Sequence, residues 1–156
     1  MSIKQILLVA ACFFILYLVI SLDKSKEEKN WFLETAKSRG IDVNDIKIKL
    51  HSFTKEYIYF LYMNDERLFF VNCKSKEIIE INKNEILKVD FNVEVEYKGK
   101  LTYISYYDIN IKGKEKNAIF KIITEDKTYE ILSQSNQDFK EKAIRLKAIL
   151  DKQIKN

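Results

Sequence analysis

From Ile6 to Leu22 the chain reads ILLVAACFFILYLVISL, a run without a single charge. As a helix this run spans about 26 Å at ~1.5 Å per residue. Ile3 and the stem of Lys4 extend it toward the roughly 30 Å hydrocarbon core of a bilayer. A helix buried in a globular core keeps a polar stripe where it meets solvent. Here only Tyr17 and Ser21 carry hydroxyls, and no stripe exists. The expectation is a transmembrane anchor over residues 1–23. A cleaved signal peptide ends in a small-residue site, whereas this run ends in SLDKSK. Val9-Ala10-Ala11-Cys12 has the look of a lipoprotein cleavage box, but apolar residues continue past Cys12 where a polar tether belongs.

Lysine and arginine near the ends of the run set its expected orientation. Lys4 and the α-amino group stand on one side; Lys24, Lys26, Lys29, Lys37 and Arg39 stand on the other. The bias places the C-terminal part in the cytoplasm, at the inner face of the cell membrane. The acidic residues interspersed there, Asp23, Glu27 and Glu28, count for little under this rule.

The 156-residue chain leaves roughly 130 residues beyond the anchor, enough to bury a core without disulfides or metals. A hydrophobic fraction of 47% against 32% charged residues is that of a folded domain, and no proline- or glycine-rich linker divides it. One of the 27 basic residues, Lys4, precedes Asp23, so the rest of the chain holds 26 basic against 23 acidic side chains. That near balance lacks the focused basic excess of nucleic-acid binders and excludes nucleic acid as the expected partner. Cys73 is the one cysteine outside the apolar run, so there is no disulfide framework, in keeping with a reducing compartment.

Residues 25–39 read as a short helix, with Ser25 and Glu28 forming a capping box and Gly40 at the C-terminal end; residues 24–43 serve as juxtamembrane helix and linker. From Ile46 the period changes to two. Ile46, Ile48 and Leu50 alternate with Lys47, Lys49 and His51. Tyr57–Met63, Arg67–Val71 and Ile78–Ile81 follow as short apolar runs, the first apolar on both faces like a central strand. Leu87, Val89, Phe91, Val93, Val95 and Tyr97 then alternate with polar neighbours, predicting one long strand with a dry and a wet face. Strands are expected at Leu101–Ile111, Ala118–Ile123 and Tyr129–Leu132, joined by short turns that favour antiparallel hairpins. The last segment predicts an amphipathic helix, with Phe139, Ala143, Leu146 and Leu150 on the apolar face and Lys140, Lys147 and Asp151 opposite.

The order of elements resembles the pleckstrin-homology-like barrel, as found in bacterial membrane-anchored proteins whose soluble part is such a domain. The resemblance covers about residues 44–154. It is carried by Tyr57–Asn72 followed by Glu77-Ile78-Ile79-Glu80-Ile81, by Glu85-Ile86-Leu87-Lys88-Val89-Asp90, and by the closing helix. The expected fold class is α+β: a transmembrane helix, a short helix, and in residues 44–156 an antiparallel PH-like barrel of about seven strands closed by the C-terminal helix. The resemblance implies a binding or scaffolding role and no catalytic residues.

The residues themselves offer little chemistry. His51 is the lone histidine, parity puts it on the wet face beside Lys47 and Lys49, and a zinc site around it would need mostly carboxylates. No nucleophile elbow, phosphate loop or CxxC pair is present, and Cys73 has no recognisable base. Asp90, Glu94 and Glu96 share one wet face about 7 Å apart, without calcium-loop spacing, and read as cross-strand partners for lysines. No catalytic, cofactor or metal residue is expected. The positive feature is a pair of KGK turns. In phosphoinositide-binding barrels of the family resembled, lysines of a hairpin loop hold the headgroup. Lys98, Lys100, Lys112 and Lys114 are therefore the candidate lipid or partner contacts. A straight strand of about 11 residues between the turns would hold them roughly 35 Å apart, too far to grip one headgroup. The leading expectation is a tethered, non-catalytic module engaging a protein partner at the inner membrane face. The alternatives are an anionic-lipid sensor using the lysine turns and a small immunity or exclusion-type protein that neutralises another membrane protein.

Overall fold

The computed structural model describes residues 26–52, 57–108 and 113–154. The expected anchor Ile6–Leu22, Ser25 of the capping box, and Lys112 lie outside the described residues. Two compact units divide the chain, Met1–Ile41 and Asp42–Asn156.

In the first unit residues 26–38 form a helix, α1. Its end is a Schellman closure: the Ile41 N–H reaches the Ala36 carbonyl at 2.9 Å and the Gly40 N–H reaches Lys37 at 3.2 Å. Among the described residues no helix is long and apolar enough to cross a membrane.

Among the described residues the second unit holds eight strands: β1 Ile46–His51, β2 Ile58–Met63, β3 Leu68–Asn72, β4 Glu77–Glu80, β5 Ile86–Tyr97, β6 Lys100–Ser105, β7 Lys114–Thr124 and β8 Thr128–Gln134. A helix, α2, follows over Gln137–Ile154. The strands form two four-stranded antiparallel sheets, β1-β2-β3-β4 and β6-β5-β7-β8. The expected closed barrel of about seven strands does not form, and α2 closes no barrel. The reason lies between β4 and β5. β4 is only four residues long, and a 3-10 turn at Lys83–Glu85 then carries the chain out of the first sheet. The pattern of alternation marks faces, not partners, and β5 pairs with β6 and β7 instead of β4.

Each sheet starts in the same way. Asp42 accepts from the Asn44 N–H at 2.9 Å ahead of β1, and Asn82 accepts from the Asn84 N–H at 3.1 Å ahead of β5. These side-chain caps start a 3-10 turn, at whose C-terminal end the chain becomes an extended strand. The two sheets share one core with α2. Phe60 of β2 meets Phe120 of β7 edge-on at 5.6 Å, and Phe70 of β3 meets Tyr129 of β8 at 5.2 Å. Phe139, Ala143, Leu146 and Leu150 bury the apolar stripe of α2 in the same cluster, where Phe139 lies 6.3 Å from Phe91. Leu61, Phe69 and Val71 are also buried, so β2 and β3 are dry on both faces.

The lysines of α2 depart from the expected wet face. The Lys147 side chain is 11% exposed, donates to the Val89 carbonyl, and pairs with Asp151 at 3.0 Å. Lys140 is 14% exposed and pairs with Glu115 at 2.9 Å. Both flank the apolar stripe, where long stems lie along apolar surface while the ammonium reaches a partner. Leu87, expected on the dry face of β5, is 57% exposed because the register shifts between Ile86 and Lys88.

Candidate interaction edge

Among the described residues four strands lie at sheet edges, and all carry charge, β6 only at its first residue, Lys100. β1 presents Lys47 and Lys49, β4 has Glu77 and Glu80, and β8 has Glu130. Glu80 is forked by Arg67 at 2.9 and 3.0 Å, and Glu130 is paired with Lys121 at 2.7 Å. β8 is protected further by Ser52, whose buried hydroxyl donates to the Leu132 carbonyl at 2.5 Å. Charges at an edge discourage an incoming strand. β6 differs: from Leu101 to Ser105 it has no charged side chain. Among the described residues it pairs on one side only, with β5.

The side chains of this edge are unusually apolar for their exposure. Leu101 is 60% and Tyr103 59% exposed, and Tyr107, in the 3-10 turn Tyr106–Asp108 that follows, is 73% exposed. Leu101 pairs with Glu96 and Tyr103 with Glu94, so both project from the face of the sheet away from the core. Thr102 and Ile104, opposite Val95 and Val93, belong to the core face.

Two glycines shape the edge. Tyr97 pairs with Lys100 across a two-residue loop in which Lys98 and Gly99 have φ of 46° and 80°. Positive φ at both positions is the I′ hairpin that matches strand twist. Gly113 leads into β7, where a Cβ would sit 2.6 Å from the Tyr97 ring and closer still to Val95. Only a residue without a side chain lets the chain cross those two side chains.

That crossing changes the placement of the lysines. Residues 101–111 do not run as one strand: β6 ends at Ser105, the 3-10 turn follows, and β7 starts at Lys114. Lys114 pairs with Glu96 while Lys100 pairs with Tyr97 on the other side of β5. Two strand spacings separate Lys100 from Lys114, about 10 Å in place of the expected 35 Å. Lys98, Lys100 and Lys114 thus converge at one end of the second sheet, and all three are exposed. Acidic groups share this end. Lys116 bonds Glu96 at 2.9 Å and holds its carboxyl below the ordinary value, through the hydrogen bond first and the lysine's charge second. Glu115 lies nearby: burial alone would raise it, but hydrogen bonds from Lys140 and Ser135 outweigh that and lower it.

At the far end of β6, the rings of Tyr106 and Tyr107 are tilted at 40° with centres 3.8 Å apart, and Lys147 lies 5.5 Å from the Tyr106 ring. Loss of solvent there, with the Tyr107 hydroxyl and the Asp151 charge, pushes the Tyr106 phenol up to about 12. A cleft of about 280 Å³ between β5, this turn and α2 is lined by Leu87, Phe91, Tyr106, Lys147 and Ile154.

The remaining candidates are dispersed. His51 sits 6.4 Å from Tyr59, and partial burial followed by the charges of Lys142 and Lys49 lowers its pKa, keeping it neutral near pH 7. Cys73 is buried just after β3. Asp90, Glu94 and Glu96 bond Lys88, Asn117 and Lys116 at 2.9, 2.6 and 2.9 Å, three separate partners. Among the described residues no cluster of three His, Cys, Asp or Glu is placed to hold a metal ion. The β6 edge was missed in the sequence because Leu101–Ile111 reads as one ordinary strand. The signal was there: LTYISYY is an uncharged run over 101–107, and unlike the uncharged strands β2 and β3, which are paired on both sides, its strand lies at an edge. Comparison with family models, curated proteins and solved structures finds no match for this chain.

Proposed function

We propose that this chain is a membrane-tethered, non-catalytic binding module at the inner membrane face. It engages a protein partner by adding a strand to the edge of β6. The observation that carries the reading is the contrast among edges: past Lys100, β6 is uncharged from Leu101 to Ser105 and exposes Leu101 and Tyr103, whereas the Leu132 carbonyl of β8 is already taken by Ser52. Strand addition draws affinity from main-chain hydrogen bonds and selectivity from alternate side chains, and this edge offers both. The tether rests on the uncharged run Ile6–Leu22 and the orientation on the lysines that follow it. Carbonate washing should leave the full chain in the membrane pellet, and a chain starting at Asp23 should be soluble. A photo-crosslinking amino acid at Tyr103 of the full chain in membranes should give one discrete protein adduct. The same group at Glu130, on the charged edge of β8, should give none. Equal labelling from the two sites would defeat the proposal.

A second reading is favoured by the convergence of Lys98, Lys100 and Lys114, which suits contact with anionic headgroups at about 1 kcal/mol per lysine near the surface. Salt-sensitive binding of the 24–156 fragment to vesicles containing phosphatidylserine, lost on replacing all three with glutamine, would support it. Binding that ignores either salt or the substitutions would end it.

A further inference from the structure

We infer that the strand received at β6 is the β6 strand of a second copy of this chain, paired antiparallel about Thr102. The inference rests on the strand-addition reading above and names its partner.

Register and face decide the matter. Leu101, Tyr103 and Ser105 lie on the outer face of the sheet, and Lys100, Thr102 and Ile104 on the core face. A strand that extends the sheet must keep these faces aligned, so only pairings between residues of equal parity are allowed. Pairing about Thr102 satisfies this. Leu101 then falls opposite Tyr103 of the second copy, and Tyr103 opposite its Leu101. The two most exposed apolar side chains of each β6 cover those of the other, an aromatic on an aliphatic, a favoured cross-strand combination. Thr102 faces Thr102, another favoured pair, and Lys100 faces Ile104, so no like charges meet. Pairing about Tyr103 also preserves faces, but it sets Leu101 against Ser105 and leaves the leucine without an apolar neighbour. The Thr102 arrangement is isologous and closes on itself. Each copy uses the edge that is uncharged from Leu101 to Ser105, and the edges left over in this sheet are the β8 strands, which carry Glu130 and give the Leu132 carbonyl to Ser52. Growth therefore stops at two, with an eight-stranded sheet running through the pair.

Directly opposed residues of an antiparallel pair have Cα atoms about 4.5–5.5 Å apart, within the span of a disulfide. The test uses the full chain in membranes with Cys12→Ser; Cys73 is 3% exposed and is retained. Under mild oxidation Thr102→Cys should form a reducible dimer. Leu101→Cys should not, but should form one with a co-expressed Tyr103→Cys chain. Tyr103→Lys should abolish the dimer, seen by light scattering in detergent, without changing the melting temperature. If Thr102→Cys stays monomeric while the photo-crosslinker at Tyr103 captures a different protein, the second-copy inference is overturned and the strand-addition reading stands. If neither a disulfide nor an adduct forms, both fail. A disulfide between two Leu101→Cys chains on oxidation would overturn the Thr102 register.

Discussion

The two-sheet core is tested most directly by the contact between Phe60 and Phe120, which belong to different sheets. Both side chains are fully buried and their rings meet edge-on at 5.6 Å. Such a pair is worth ~0.5–1.5 kcal/mol beyond its area burial. Alanine is too harsh a probe, since each Phe→Ala would cost ~3–5 kcal/mol and the double variant would exhaust a domain stability of ~5–15 kcal/mol. Leucine removes the ring and keeps much of the volume, at roughly 1–2 kcal/mol each. The assay is urea unfolding of the 24–156 fragment carrying Phe60→Leu, Phe120→Leu and both. The double variant should be less destabilised than the sum by about 0.5–1.5 kcal/mol. A parallel cycle pairing Phe120→Leu with Leu61→Ala, on the opposite face of β2, should be additive within ~0.5 kcal/mol. Coupling near zero between Phe60 and Phe120, with intact single effects, would mean that the sheets do not share a core as described.

Lys147→Ala should cost roughly 1–3 kcal/mol, because it strips the Val89 carbonyl of its side-chain donor and leaves Asp151 unpaired. Lys152→Ala, at an exposed position of the same helix, should stay within ~0.5 kcal/mol; urea midpoints compare the two. Glu115 has a folded pKa below its ordinary value of 4.5, so its contribution is fully present above that value and is lost as pH falls through the folded pKa. The stability gap between wild type and Glu115→Gln should therefore be constant from pH 7 to about pH 5 and close on further acidification; a gap that widens in acid contradicts the assignment. Cys73 should resist an impermeant thiol reagent in the native protein even after lysis, reacting only on denaturation, since it is 3% exposed. Membrane orientation is better read from Leu87→Cys in a Cys12→Ser chain, which should label after lysis and not in intact cells.

The parts of this fold that announce themselves in sequence are those where periodicity meets a buried face. Val89, Phe91, Val93 and Val95 alternate in the sequence and are buried in β5, and the stripe Phe139, Ala143, Leu146 and Leu150 is the buried stripe of α2. What periodicity does not carry is pairing. Nothing in Ile78–Ile81 or Leu87–Tyr97 says that the chain changes sheets between them; that is decided by the short β4 and the Asn82 cap. The break after Ser105 was hidden for a related reason. Its turn, Tyr106–Asp108, contains neither glycine nor proline, the residues by which turns are usually read. Straightening that segment on paper separated lysines that the fold brings together. Helical periodicity likewise locates the centre of a stripe but not its margins, where Lys140 and Lys147 find their partners.

On the reading proposed above, the size of the β6 edge gives a tether in the same chain something to do. Six residues paired along one strand bury far less than the ~1,200–2,000 Å² of a stable standard interface, so strand addition here is weak between freely diffusing molecules. Confinement alters this without adding a contact, because joining two partners to one surface turns association into a nearly intramolecular event at high effective concentration. It also answers the hazard of leaving an edge uncharged. An apolar edge invites any extended chain in bulk solution, whereas one held at a membrane mostly meets what shares that membrane. On that proposal the uncharged run at Ile6–Leu22 and the uncharged run at Leu101–Ser105 are two halves of one arrangement: the second is useful and safe in proportion as the first restricts where it goes. Replacing Ile6–Leu22 by a soluble leader should therefore weaken the Thr102→Cys disulfide at equal total protein. If the disulfide forms equally well from the soluble chain, the edge needs no confinement and the link between the two segments is broken.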